Sequence, residues 1–207
     1  AAHEPPTVRR KQSKLFQRAN VLSPSKTNTF FQNNTVHITI LSGSTRINRL
    51  SHRVAVGLAN YINIQGQHTA EVVDLAEYRF PLMEEVLHRL PHPPAGLEEF
   101  AQKIKQSDAH IMVSPEYNGS YTAALKNAVD YLKEGEFQRK AVGVVSVTSG
   151  MMGGMRAALA MQQLVLGIGG YALPQMLTVG QVAQRFDENG DLLDPVFEKN
   201  VQTFLNN

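Results

Sequence analysis

Three short segments hold the residues whose types and spacing can do chemistry, and each follows an apolar run. The first reads Gly43-Ser44-Thr45-Arg46-Ile47-Asn48-Arg49-Leu50-Ser51. A phosphate fits such a segment where a helix begins, because the first helical amides point outward without acceptors and the helix dipole favours an anion. Gly43 permits a close turn, the Ser44, Thr45 and Ser51 hydroxyls can donate, and Arg46 adds a charge-assisted fork. The lysine of a Walker A loop and the later glycines of a dinucleotide fingerprint are both missing. An ordinary capped helix start uses the same residue types.

The second segment reads Pro115-Glu116-Tyr117-Asn118-Gly119-Ser120-Tyr121. Pro, Asn and Gly supply a rigid turn with backbone amides left for a ligand, and the two tyrosines offer flat apolar faces. A plain strand-to-helix turn also favours Asn-Gly. The third segment, Thr148-Ser149-Gly150-Met151-Met152-Gly153-Gly154, permits close backbone approach to a flat ligand. The same composition would serve a flexible loop whose methionines plug the core.

The elements around these segments alternate between two periods. Strands are expected over 36–41, 70–75, 109–114, 141–147 and 171–179. Helices are expected over 54–62, 97–104, 123–132, 155–166 and 196–205. Ala141 to Val147 is nearly continuous in apolar residues, which suits a strand buried on both faces. Five strands alternating with helices predict an α/β fold, a doubly wound five-stranded parallel sheet with helices on both faces. Ligands of such sheets sit beyond the carboxyl ends of the strands, near the point where strand order reverses. The three chemistry-bearing segments follow Leu41, Val113 and Val147, all strand ends.

Composition narrows the chemistry. The chain has 207 residues and no cysteine, so disulfides, thiolate metal sites, iron–sulfur clusters and thiol catalysis are excluded. The seven histidines are scattered, and Pro91 breaks any helix that would pair His88 with His92. The longest weakly charged stretch, 157–173, is too short and too polar to span a bilayer.

The motifs together resemble the NADPH-dependent FMN reductase family, over about residues 36–205. Pro115-Glu116-Tyr117-Asn118 followed by Leu125-Lys126-Asn127-Ala128-Val129-Asp130-Tyr131-Leu132 follows that family's PEYN…LKNAxDxL pattern. Gly43-Ser44-x-Arg46 and Ser149-Gly150-x-x-Gly153-Gly154 match its other two loops. The resemblance implies a flavodoxin-like fold and an FMN cofactor, with NADPH or NADH as co-substrate. It implies that Ser44, Arg46 and Ser51 hold the FMN phosphate. Pro115, Glu116, Tyr117, Asn118 and Gly119 would lie along the isoalloxazine ring, and Ser149 and Gly150 would approach its pyrimidine side. Arg49 stands where many members have a small serine, and either adds a second phosphate charge or points to solvent. Thr122-Ala123 replaces a common Pro-Gly.

The reaction so implied is hydride transfer from NAD(P)H to FMN, then to a small-molecule acceptor such as a quinone, azo compound, metal oxyanion or free flavin. The alternatives are an FMN-binding electron carrier and a non-catalytic flavodoxin-like regulatory module. The family also implies a homodimer or homotetramer. The apolar run Phe80, Leu82 and Met83 is the expected cover over a partner's flavin.

Charge separates the chain into an arm and a body. Residues 1–35 hold six basic residues against Glu4, a net of +5, and residues 36–207 carry −3. The arm is read as a basic N-terminal extension and 36–207 as the flavin-binding domain. Organellar targeting, an anionic partner and a solvated extension all fit the arm. It lacks aromatics interleaved with its basic residues, so no nucleic-acid partner is expected, and the domain is expected to be cytoplasmic or organellar.

Overall fold

The computed structural model describes residues 35–132 and 134–207; the basic arm, apart from Thr35, lies outside the described residues. The alternation seen in the sequence becomes β1 (His37–Ser42), α1 (Ser51–Gln65), β2 (Thr69–Asp74), α2 (Leu75–Tyr78), α3 (Leu97–Gln106) and β3 (Ala109–Pro115). It continues as α4 (Ala123–Asp130), α5 (Glu134–Phe137), β4 (Ala141–Val147), α6 (Met155–Gly167), β5 (Tyr171–Ala172), β6 (Leu177–Val179), α7 (Val182–Arg185) and α8 (Pro195–Leu205).

The sheet is wholly parallel in the order β2-β1-β3-β4-β5, with β6 also paired to β4. The expected fifth strand is thus one edge strand in two pieces. Pro174 falls in the break, where it has no N–H to give the ladder. Both faces of the sheet are covered. Leu41, Met112, Val142 and Val144 pack with Leu97, Phe100, Leu125 and Met161 on one side. Ile40, Ile111, Val113 and Val145 pack with Val54, Leu58, Phe197 and Phe204 on the other. Burial on both faces explains why β4 reads as a nearly continuous apolar run and why the polar Thr39, His110 and Ser114 of β1 and β3 are themselves buried.

The chain passes from β1 through α1 to β2 on one side of β1, then returns through α3 to β3 on its other side, so strand order reverses between β1 and β3. Their carboxyl ends open there, and β4 ends alongside. The Pro-punctuated stretch after β2 was expected to expose Phe80, Leu82 and Met83. Only Leu82 is exposed; Phe80 packs its ring on Tyr78, Phe100 and Tyr131, and Met83 packs against the same core. The Asn127 amide holds this stretch, accepting from the Met83 N–H at 2.8 Å and donating to the Pro81 carbonyl at 2.7 Å. Among the described residues no helix is long and apolar enough to cross a membrane.

Candidate active site

The loops after β1, β3 and β4 meet around a cavity of about 310 Å3. Eight of the sequence-predicted residues line it: Ser44, Arg46, Arg49 and Ser51 from the first loop, Pro115, Glu116 and Tyr117 from the second, and Ser149 from the third. Asn118, Gly119 and Gly150 are not among the residues that line it.

The first loop is held close to β3. The Gly43 N–H donates to the Val113 carbonyl at 2.8 Å, and a Cβ at this position would stand 2.9 Å from that same oxygen. Only glycine fits here, which places Ser44 on the cavity wall. Ser44 is fully buried, and its hydroxyl shares a 3.1 Å hydrogen bond with the Tyr117 hydroxyl, joining the first loop to the second. The Arg46 guanidinium lies 5.8 Å from the centre of the Tyr117 ring and makes no ion pair among the described residues.

The start of α1 suits an anion. Leu50 occupies its N-cap and gives no side-chain acceptor, and the first turn carries no acid. The positive end of a 15-residue helix therefore opens at Ser51 with no acid in its own first turn, the nearby Asp74 carboxylate being taken up by Arg49 and His52. With the Arg46 charge and the Ser44 hydroxyl beside it, this wall fits a phosphate group. Arg49 does not point freely to solvent; its Nη2 is ion-paired to Asp74 Oδ2.

The second loop closes as a two-residue hairpin. Tyr117 and Ser120 exchange backbone hydrogen bonds of 2.8 and 3.1 Å, and Asn118 and Gly119 take φ of +52° and +85°. Asn-Gly is the pair that tolerates this left-handed turn. Glu116 lines the cavity and is also engaged across the fold. Its carboxylate accepts from Arg156 Nε and Nη2 at 3.1 and 3.0 Å and from the Ala157 N–H at 3.4 Å. It thus ties the second loop to the first turn of α6, whose own N-cap, Gly154, offers no side chain.

The third loop is fixed by its backbone. The Gly150 carbonyl accepts from the Thr148 hydroxyl at 3.0 Å and from the Gln181 N–H at 2.9 Å. Gly150 is therefore a strut of the loop, while Ser149 and Thr148 face the cavity.

Several neighbours were missed from sequence. Val147, Thr148 and Val182 line the cavity, Asp74 and Arg156 hold Arg49 and Glu116, which also line it, and His52 lies against Asp74. Asp74 had a signal: it ends β2 in register with Ser42, so the strand-end rule applied to β2 would have found it. Arg156 had none, since only the folded loop brings it to Glu116.

Comparison with known proteins agrees with this geometry. The flavoenzyme NAD(P)H:(acceptor) oxidoreductase FerB from Paracoccus denitrificans superposes with a TM-score of 0.70 at 22% identity, covering 83% of this chain and 94% of that one. An NAD(P)H-dependent FMN reductase of Pseudomonas aeruginosa is 29% identical over 173 residues, 80% of this chain and 89% of that protein. A quinone reductase of Pseudomonas putida is 29% identical over 164 residues, 76% of this chain and 84% of its own length. An NADPH azoreductase from a Bacillus species is 28% identical over 141 residues, 67% of this chain and 77% of its own length. The model of the NADPH-dependent FMN reductase family matches residues 36–184, a span that contains all three loops, and the chain belongs to that family.

Proposed function

We propose that this FMN-dependent oxidoreductase takes a hydride from NADPH or NADH and passes it to a quinone, an azo compound, a metal oxyanion or a free flavin. The observation that carries the reading is the single cavity on which an uncapped helix start and two rigid backbone loops converge. The names of the quinone- and azo-reducing relatives support those two acceptor classes. FMN, when bound, supplies the centre that takes up and gives back the hydride. The protein's part is to bind and orient. Ser44, Arg46, Arg49 and Ser51 would hold the phosphate. The backbone of 115–119 and of Ser149 and Gly150 would carry the ring, with the Tyr117 hydroxyl fixed by Ser44. No side-chain nucleophile is needed. In an anaerobic stopped-flow experiment NADPH should bleach the bound flavin, and added quinone should restore its colour. A flavin that stays oxidised with both nicotinamides would reduce the protein to an electron carrier, and a colourless protein that leaves FMN fluorescence unquenched would remove flavin function.

We place the flavin site wholly in residues 36–207, within the cytoplasm or, where the basic arm acts as an address, an organelle. A homodimer is the proposed assembly. With Phe80 and Met83 packed inward, the supporting surface is α6, which exposes Met155, Leu159 and Leu166 along one stripe. Leu159→Asp should convert dimer to monomer in sedimentation at micromolar concentration; an unchanged sedimentation coefficient would place the contact elsewhere.

A further inference from the structure

We propose that Asp74 is a positioning residue of the phosphate site, acting through Arg49, and that the pair makes the site selective for a flavin bearing a phosphomonoester. The inference rests on the FMN reading above.

Asp74 ends β2 and is 6% exposed. Every contact of its carboxylate points toward the phosphate wall or secures the chain beside it. Oδ1 accepts from the Ala76 N–H at 3.0 Å and so caps α2. Oδ2 accepts from Arg49 and lies 3.4 Å from His52 Nδ1, in the first turn of α1. That same ring nitrogen is 3.1 Å from the Ser42 hydroxyl. Arg49 lines the cavity between Asn48, at φ +57°, and the start of α1. Its Nε is buried and has no acceptor among the described residues.

An arginine on an open loop loses side-chain freedom when it closes on a phosphate, and that loss subtracts from binding. Arg46 stands in this position. Arg49 does not, because Asp74 has already fixed one nitrogen of its guanidinium on the wall, and a guanidinium has five donors. Asp74 also subtracts a charge from the site, which opposes phosphate binding. The two effects have opposite signs, so one measurement separates them. Where positioning dominates, removing the Asp74 charge weakens binding of FMN; where charge dominates, it tightens binding.

The test is fluorescence titration of apoprotein with FMN and with riboflavin. Asparagine keeps an oxygen for the Ala76 N–H, so Asp74→Asn removes the charge and leaves the cap of α2. Asp74→Asn and Arg49→Gln should each weaken FMN binding by about tenfold, the lower end for a charge-assisted hydrogen bond, and leave riboflavin binding unchanged. In the Arg49→Gln background, Asp74→Asn should add nothing further. Arg49→Lys, which keeps the charge and loses the fork, should not restore wild-type affinity. Tighter or unchanged FMN binding by Asp74→Asn overturns the inference alone. So does an equal loss for both flavins, or full additivity in the double variant. Wild-type protein that binds neither flavin overturns the FMN reading together with it.

Discussion

Arg46→Ala should weaken FMN binding by about 1.5–3 kcal/mol, roughly ten- to 150-fold, with riboflavin affinity unchanged. Arg46 differs from Arg49 in the partner it has kept available. Its guanidinium faces the Tyr117 ring and makes no ion pair among the described residues, so its donors remain for an anion. The backbone around it is already set, with its own N–H donating to the Ser44 hydroxyl at 3.4 Å. Losing the side chain therefore removes a charge-assisted fork from the phosphate and leaves the loop in place. The loss should shrink as salt rises, because the side chain is exposed and its field is screened. Arg46→Lys should recover part of the affinity, since a point charge remains without the planar fork. Titration with FMN and riboflavin in parallel decides the matter. An equal drop for both flavins would assign Arg46 to the ring or to loop stability and not to the phosphate.

The parts of this site legible in the sequence are those in which a loop's own residues do the work. The apolar runs of β1, β3 and β4 announce buried strands, and the Gly43-Ser44, Asn118-Gly119 and Ser149-Gly150 segments sit at their ends. Local chemistry sufficed there, because Asn-Gly at left-handed φ and glycine against the Val113 carbonyl are constraints of the turn itself. Illegible were the contacts made across the fold. Arg49 reads equally as a second phosphate charge or a solvent-facing cation until β2 brings Asp74 beside it, 25 positions away in sequence. Glu116 reads as a cavity residue, and only the fold adds its ties to Arg156 and the start of α6. Phe80 and Met83 look exposed beside so many prolines, yet both pack against the core. The Asn127 amide then folds the stretch back onto α4. Patterning thus gives the strand ends, and packing decides which side chains there remain free to meet a ligand.

Between the ordinary histidine range and about pH 3, His110 should cost the protein about 1.4 kcal/mol of stability for each pH unit lost, and that contribution should disappear in His110→Leu. His110 lies in β3, is 1% exposed, and has no hydrogen-bond partner for either ring nitrogen among the described residues. Its ring packs edge-on against Phe137 at 5.1 Å between centroids. The Thr39 hydroxyl in the adjacent strand is bonded to Ser107. Burial, with the Lys140 charge as a smaller cause, pushes the imidazole from 6.5 down to about 3. The folded chain therefore stays unprotonated at His110 between these values, while the unfolded chain binds a proton there. Folding stability falls as pH drops below 6.5, and the loss is complete once pH passes the folded value of about 3. At pH 4 the accumulated loss is about 3 kcal/mol, a large share of the stability of an ordinary domain. The ion pairs Arg49–Asp74 and Arg156–Glu116 are common to wild type and variant, so they cancel in the comparison. Urea unfolding at pH 7.5, 6, 5 and 4 (round values, set roughly to bracket an ordinary histidine) isolates the His110 contribution as the difference between the two proteins. Leucine fills an apolar site without a stranded ring nitrogen, so its curve should lie above that of wild type in acid. Parallel curves across that range would show that the buried ring is charged or bonded in the folded protein after all.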